Sequence, residues 1–221
     1  MTWFHPAGTL KHGDADVLVT PENAGWAYSG LQVFTLHAGS PVTVTLSGEE
    51  GVIVPLSAQD VLVTVDGQEF TLTGRIGVFD SVSDWIYTPV GSTVVLQGES
   101  GEVAMCTARA TETFPVHYVA AEDVPVEVRG SGRATRQVTN IATPGSFTGA
   151  HKINVCEVIT PGGNLSSWPP HRHDGIGDCA TNNEEIYYFR IGRTEKPHGD
   201  PIGTGLFRLY TVDGSVDETL T

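Results

Sequence analysis

His171 and His173 stand two apart in the segment SSWPPHRHDGIGDCATNNEEIYYFR, residues 166–190, and Glu185 follows after a polar loop. Side chains on a β-strand alternate faces, so on a strand the two imidazoles point one way and Arg172 the other. Two imidazoles on one face, joined by a carboxylate from the next strand, are three ligands of a divalent-metal site. A bare H-x-H pair also arises by chance on protein surfaces. What lifts this one is its context. Glu185 immediately precedes an aromatic run, Ile186–Phe189, that reads as a strand. Pro169 and Pro170 fix φ and favour an extended entry into the histidines.

A second cluster could bind rather than react. Arg129, Arg133 and Arg136 place three of only 12 basic residues within eight positions. Guanidinium forks match carboxylates in bidentate fashion, so these arginines are candidate anchors for an acidic substrate. The competing reading is salt bridging across a joint between domains. Cys106, Cys156 and Cys179 are an odd, scattered set that reads as reduced thiols. Cys179 lies close to the histidines and is read as a loop thiol rather than a ligand.

Composition limits the partners. The net charge is −14 over 221 residues, a surface that repels nucleic acid and anionic membranes. No apolar stretch is long enough to cross a bilayer. MTWFHPAGTLKHG has no basic start followed by an apolar run, so it does not read as a secretory leader, and the expectation is a cytoplasmic protein. A small molecule is the expected partner, and a homo-oligomer is allowed.

The elements that must hold these residues are strands. LQVFTLHAG, PVTVTLSG, GVIVPLSA, VLVTVDGQEFTLTG, STVVLQG and EVAMCTAR follow one another from Leu31 to Arg109. They are rich in Val, Leu and Thr and alternate with polar residues. Asp66-Gly67 between two such runs signals a two-residue hairpin turn. Many short antiparallel strands predict a sandwich or barrel of the jelly-roll kind. His37 stands alone in this block, so a barrel built from it lacks a metal motif. Residues 111–140 read as a joint, loop-like before Val138. A second strand-rich block, from Lys152, carries KINVCEVIT, the histidine segment, EEIYYFRI and GLFRLYTVDG.

VRGSGRATRQVTNIATPG, TPGGNLSSWPPHRHD, NEEIYYFRI and RLYTVDGSVDETL together resemble the bacterial 5-deoxy-glucuronate isomerases of myo-inositol catabolism. These belong to the bicupin group that also holds the 4-deoxy-L-threo-5-hexosulose-uronate ketol-isomerases. PENAGWAYSGLQVFTLHAGSPVTV and GRIGVFDSVSDWIYTPVGSTV carry the likeness into the N-terminal half. The resemblance implies an all-β bicupin with two jelly-roll β-barrels in tandem. Residues 1–125 would form a barrel without metal, and residues 126–221 a second, incomplete barrel carrying it. His171, His173 and Glu185 match the family's metal ligands, with Glu184 facing away. The family's fourth ligand, a histidine on a later strand, would fall beyond Thr221. The chain therefore reads as shortened, with weak metal binding and little turnover expected of it alone. His198 is a poor substitute.

The implied reaction is the aldose–ketose isomerisation of 5-deoxy-D-glucuronate to 5-dehydro-2-deoxy-D-gluconate. A divalent metal, zinc first and manganese or iron as alternatives, would stabilise the enediolate. The general base is not identified by the sequence. Tyr187 shares a strand face with Glu185 and is a candidate donor to the enediolate, with core packing as the plainer role. Two other classes use the same residues. One is a cupin metal-dependent oxygenase, which would consume oxygen. The other is a non-catalytic sugar-acid-binding module.

Overall fold

The protein is described by a computed structural model over residues 4–192 and 203–221. Ten strands occupy its first part: β1 (Val17–Val19), β2 (Ser29–Thr35), β3 (Val42–Thr45), β4 (Glu49–Pro55), β5 (Gln59–Val65), β6 (Gln68–Gly74), β7 (Trp85–Thr88), β8 (Thr93–Gln97), β9 (Glu102–Arg109) and β10 (His117–Val119). One short helix, α1 (Pro21–Ala24), is capped by Thr20, whose side chain accepts from the Asn23 amide. One sheet runs β1-β2-β9-β4-β7-β10 and a second runs β3-β8-β5-β6. Every pairing is antiparallel, and apart from the β5–β6 hairpin the chain from β2 to β9 crosses between sheets at nearly each step. The four-strand orders β2-β9-β4-β7 and β3-β8-β5-β6 are those of a jelly roll. The all-β expectation holds.

Local chemistry explains the hairpin. Asp66 and Gly67 both have positive φ, 47° and 86°, the pair of left-handed residues that a two-residue turn between twisted strands requires. Phe34, Leu46, Ile53, Val63, Leu96 and Met105 are among the side chains that fill the space between the two sheets.

The first sheet is buried on both faces. Ile53 of β4 points into the jelly roll, while Val52 and Val54 on its other face pack with Trp85, Tyr87, Ile141 and Ala142. That outer layer comes from residues following β10. Here β11 (Val126–Arg129), β12 (Arg136–Ala142) and β13 (Val155–Ile159) form a three-stranded sheet. β11 and the first two residues of β12 lie in the stretch read from sequence as loop-like. β11, Val-Glu-Val-Arg, alternates apolar and polar residues but is only four residues long and exposed along its whole length.

Buried charges fasten this layer. Glu50 has no solvent exposure and lies on the same face of β4 as Val52. Its carboxylate accepts from the amides of His151 (2.9 Å), Lys152 (2.5 Å) and Ile153 (2.9 Å), and from the Tyr87 hydroxyl (2.8 Å). Arg75, 2% exposed, donates to the Pro55 and Ser81 carbonyls and forms a two-pronged pair with Glu157 of β13. Asp84 is similarly buried and accepts from the Thr73 and Gly74 amides and the Tyr118 hydroxyl. Burial and this carboxylate push the Tyr118 pKa up to about 12.

Two compact units result, one spanning Ala7–Ile186 and one comprising Tyr187–Thr221 with a short amino-terminal stretch ending at Pro6. In the second, β14 (Phe207–Tyr210) pairs with β15 (Asp217–Leu220), so the SVDETLT tail supplies the partner strand that GLFRLY needs. Asp213 in the turn accepts from the Thr211 and Ser215 hydroxyls and the Ser215 amide, which lowers its pKa to about 2. Residues 186–189, read from sequence as a strand, are not one here. No helix of the described residues is long and apolar enough to cross a membrane.

Replacing Glu50 by Ala leaves three amides and a phenol without their acceptor in a dry layer. Such uncompensated donors cost on the order of 3 kcal/mol or more. A urea unfolding midpoint for Glu50→Ala within error of wild type would show that the carboxylate does not fasten the two layers.

Candidate functional site

The histidine segment folds back on itself as an irregular hairpin. Asp174 and Asn182 form an isolated antiparallel bridge, the Gly175 amide donates to the Thr181 carbonyl (2.9 Å), and the Asn183 amide donates to the His173 carbonyl (2.8 Å). In each of these pairs the residue numbers sum to 356. Continued past the last of these bonds, the same register would set Arg172 opposite Glu184 and His171 opposite Glu185. Directly opposite residues of an antiparallel pair share a face. On that continuation Glu185 and the two histidines would share a face.

The imidazoles are already neighbours, with ring centroids 4.9 Å apart. Neither ring is hydrogen-bonded among the described residues, which leaves their nitrogens available. Among the described residues, however, no group of three or more His, Cys, Asp or Glu is close enough to hold an ion. The structure brings His171 and His173 together and leaves the Glu185 carboxylate apart from them. As donor types and by register the set fits a divalent metal. His198 lies outside the described residues.

Glu184 and Glu185 have separate surroundings. The Glu184 carboxylate accepts from three consecutive amides, Ala27 (2.6 Å), Tyr28 (2.9 Å) and Ser29 (2.8 Å). Partial burial works to raise its pKa, but these bonds outweigh it and hold the group below the ordinary glutamate value. Ile186 packs against the Leu31, Val33, Leu56 and Ala104 cluster. Glu185, between them, is exposed and is felt electrostatically by the Cys156 thiol.

Cys156 in β13 links the acid to the arginines. Protein packed around its sulfur raises its pKa, the Glu185 charge raises it further, and Arg129 lowers it. Arg129 is on β11 opposite Arg136 of β12. It pairs with Glu127 at 2.5 Å, while Arg136 donates to the Ala134 carbonyl at 3.1 Å. Among the described residues the Arg133 guanidinium makes no ion pair. Arg129 and Glu185 therefore both act on one thiol of the three-stranded sheet.

Tyr187 belongs to the second unit. Its ring stacks on Phe189 at 5.8 Å and tilts against Phe207 at 5.1 Å. Packing is the role displayed by the ring.

Sequence reading missed Glu50, Arg75, Asp84 and the clamp at Glu184. The signal for Glu50 was present as GEEGVIVPL, an acid entering an apolar strand. For Glu184 the partner is a set of backbone amides 155 or more residues away, which carry no side-chain signature.

Comparison with known proteins now bears on these residues. The KduI/IolB family model matches residues 3–221. The chain belongs to the KduI/IolB family. Within that family it is 34% identical over 207 residues to a 5-deoxy-glucuronate isomerase of Geobacillus kaustophilus strain HTA426, covering 92% of this chain and 72% of the relative. It is 36% identical over 207 residues to the 5-deoxy-glucuronate isomerase of Bacillus velezensis strain FZB42, with 92% and 73% covered. The crystal structure of an IolB-like protein from Salmonella typhimurium LT2 superposes with a TM-score of 0.79 at 29% identity, covering 95% of this chain and 78% of that one. In this chain the segment that follows the histidine hairpin docks on the jelly roll at the start of β2, through Glu184 and Ile186.

The cysteines give a direct check on the hairpin. Backbone hydrogen bonds, Gly175 first and Thr181 next, hold the Cys179 thiol below its ordinary pKa. Burial, then the Glu157 and Cys156 charges, push Cys106 up to about 12. The thiolate is the nucleophile, so at pH 8 iodoacetamide should label Cys179 first and Cys106 last. Peptide mapping that finds Cys106 labelled as fast as Cys179 would contradict the fold of residues 172–183.

Proposed function

We infer that the chain is a 5-deoxy-glucuronate isomerase, an intramolecular aldose–ketose isomerase. What carries this reading is the identity of 34–36% to proteins of that name across 92% of the chain, and the neighbouring His171 and His173 rings, with Glu185 close by in the chain, support it. The substrate is 5-deoxy-D-glucuronate, the product 5-dehydro-2-deoxy-D-gluconate, and the setting myo-inositol catabolism in the cytoplasm.

His171, His173 and Glu185 would hold the metal, zinc by preference for this nitrogen and oxygen donor set, with manganese or iron as alternatives. When bound, such an ion supplies Lewis-acid stabilisation of developing negative charge on oxygen. The isomerisation moves one proton between adjacent carbons, and no external oxidant or reductant enters. The chain's own groups do the rest. Arg129, Arg133 and Arg136 would receive the substrate carboxylate, with Arg133 the least committed of the three. In support, Arg129 already influences the same thiol as Glu185. The Tyr187 hydroxyl would donate a proton. The oxygenase reading has no observation of its own in its favour.

Turnover of 5-deoxy-D-glucuronate should be assayed with metal added, because three protein donors retain an ion weakly. A chelator should abolish turnover, and added Zn²⁺ or Mn²⁺ should restore it without oxygen uptake. His171→Ala should lower kcat/KM by more than the 10–100-fold typical of residues that merely support a ligand. Arg133→Ala should raise KM more than it lowers kcat, since a carboxylate anchor is shared by ground and transition states. Tyr187→Phe should lower kcat at unchanged melting temperature, because the ring packing survives. Metal-independent turnover, or oxygen consumption coupled to substrate loss, would overturn the reading.

A further inference from the structure

We propose that Glu184 is a positioning residue, whose carboxylate, clamped on the Ala27, Tyr28 and Ser29 amides, turns the neighbouring Glu185 side chain toward the histidine face. This rests on Glu185 being the metal-binding carboxylate.

The platform that receives Glu184 is also held by bonds of its own. Helix α1 ends at Gly25, and the Trp26 amide is held by the Pro21 carbonyl. The Tyr28 carbonyl accepts from the Arg109 amide at 3.0 Å, and the Ala27 carbonyl from the Arg109 guanidinium at 3.4 Å. Ser29 opens β2 opposite Ala108 of β9. Three successive N–H groups aimed at one carboxylate make a directional socket.

Alternation then fixes Glu185. Glu184 and Ile186 are both partly buried against the jelly roll, one by polar bonds and one by apolar packing, and Glu185 between them is exposed. A chain pinned at two alternate residues has only the opposite side left for the residue between. The hairpin register, continued past the Asn183–His173 bond, agrees in setting Glu184 opposite Arg172 and Glu185 opposite His171. Arg172, on the far face, is itself engaged with Asp174 and Asp178. Without the clamp, Glu185 is free to rotate away from the imidazoles. Support of this kind for a ligand is worth roughly 10–100-fold in metal affinity.

The test compares the full chain with Glu184→Ala, Glu184→Gln and Glu185→Gln. Amide hydrogen exchange at Ala27, Tyr28 and Ser29 is read in the metal-free proteins, and affinity and absorption spectrum are read with Co²⁺ alone. Glu184→Ala should speed exchange at all three amides and weaken Co²⁺ binding about 10–100-fold. Glu184→Gln, which keeps one acceptor oxygen, should recover part of both. Faster exchange with wild-type Co²⁺ affinity would show a purely structural clamp and overturn the proposal. Unchanged exchange would show that the clamp does not exist. Wild-type affinity in Glu185→Gln would instead sink the ligand assignment itself, even with the clamp intact.

Discussion

The outward face of the β2-β9-β4-β7 layer carries Val52, Val54, Trp85 and Tyr87, and such a face cannot be left in water at roughly 1.5–3 kcal/mol per large apolar side chain. Val124, Ile141, Ala142 and the segment from Phe147 to Val155 cover it. The cover must be held in register, and apolar packing alone is not directional. Glu50 and Arg75 supply the direction, because a buried carboxylate or guanidinium tolerates only the geometry that satisfies it. Glu50 fixes the backbone of residues 151–153, and Arg75 fixes Glu157 four residues later. Between and beside them lies Cys156, the residue on which Glu185 and Arg129 both act. The layer contact thus also sets where the candidate chemistry sits.

A second contact of the same kind operates on the same outward face, at β2. Glu184 docks on the start of β2, and Ile186 on the cluster formed by Leu31 and Val33 of β2 with Leu56 and Ala104. The histidine hairpin has few regular backbone bonds of its own, so its placement depends on this docking. A loop held by a rigid scaffold is a common location for ligands and catalytic groups. In this family member the jelly roll acts as the frame, with an interior filled by apolar side chains, and the residues of metal-ligand type are carried on what is attached to its outer face.

Much of the frame was legible in the sequence. The runs from Leu31 to Arg109 became β2 to β9 because their alternation and the Asp66-Gly67 turn are local signals. β7 escaped because WIYT, buried throughout, has no alternation to read. β11 alternates as Val-Glu-Val-Arg, but four residues set between Pro125 and the Gly130-Ser131-Gly132 turn are too short a run to stand out from a loop. Residues 186–189 misled because aromatic content marks a segment fit for a sheet, yet a strand exists only where a partner strand pairs with it. At the site, donor types and spacing were readable, while the Glu184 clamp was not, since its partners are main-chain amides. The register that, continued, would set Glu185 on the face of His171 came from three backbone pairings that no residue pattern announces.

The proposed chemistry requires that His171, His173 and Glu185 bind one ion. X-ray absorption at the zinc edge of the Zn²⁺-loaded chain tests it directly. The account predicts a shell containing two imidazole nitrogens at about 2.0–2.1 Å with oxygen completing it and no sulfur. A sulfur shell at about 2.3 Å, which would bring in Cys179 or Cys156, or a shell without imidazole scattering, would contradict it.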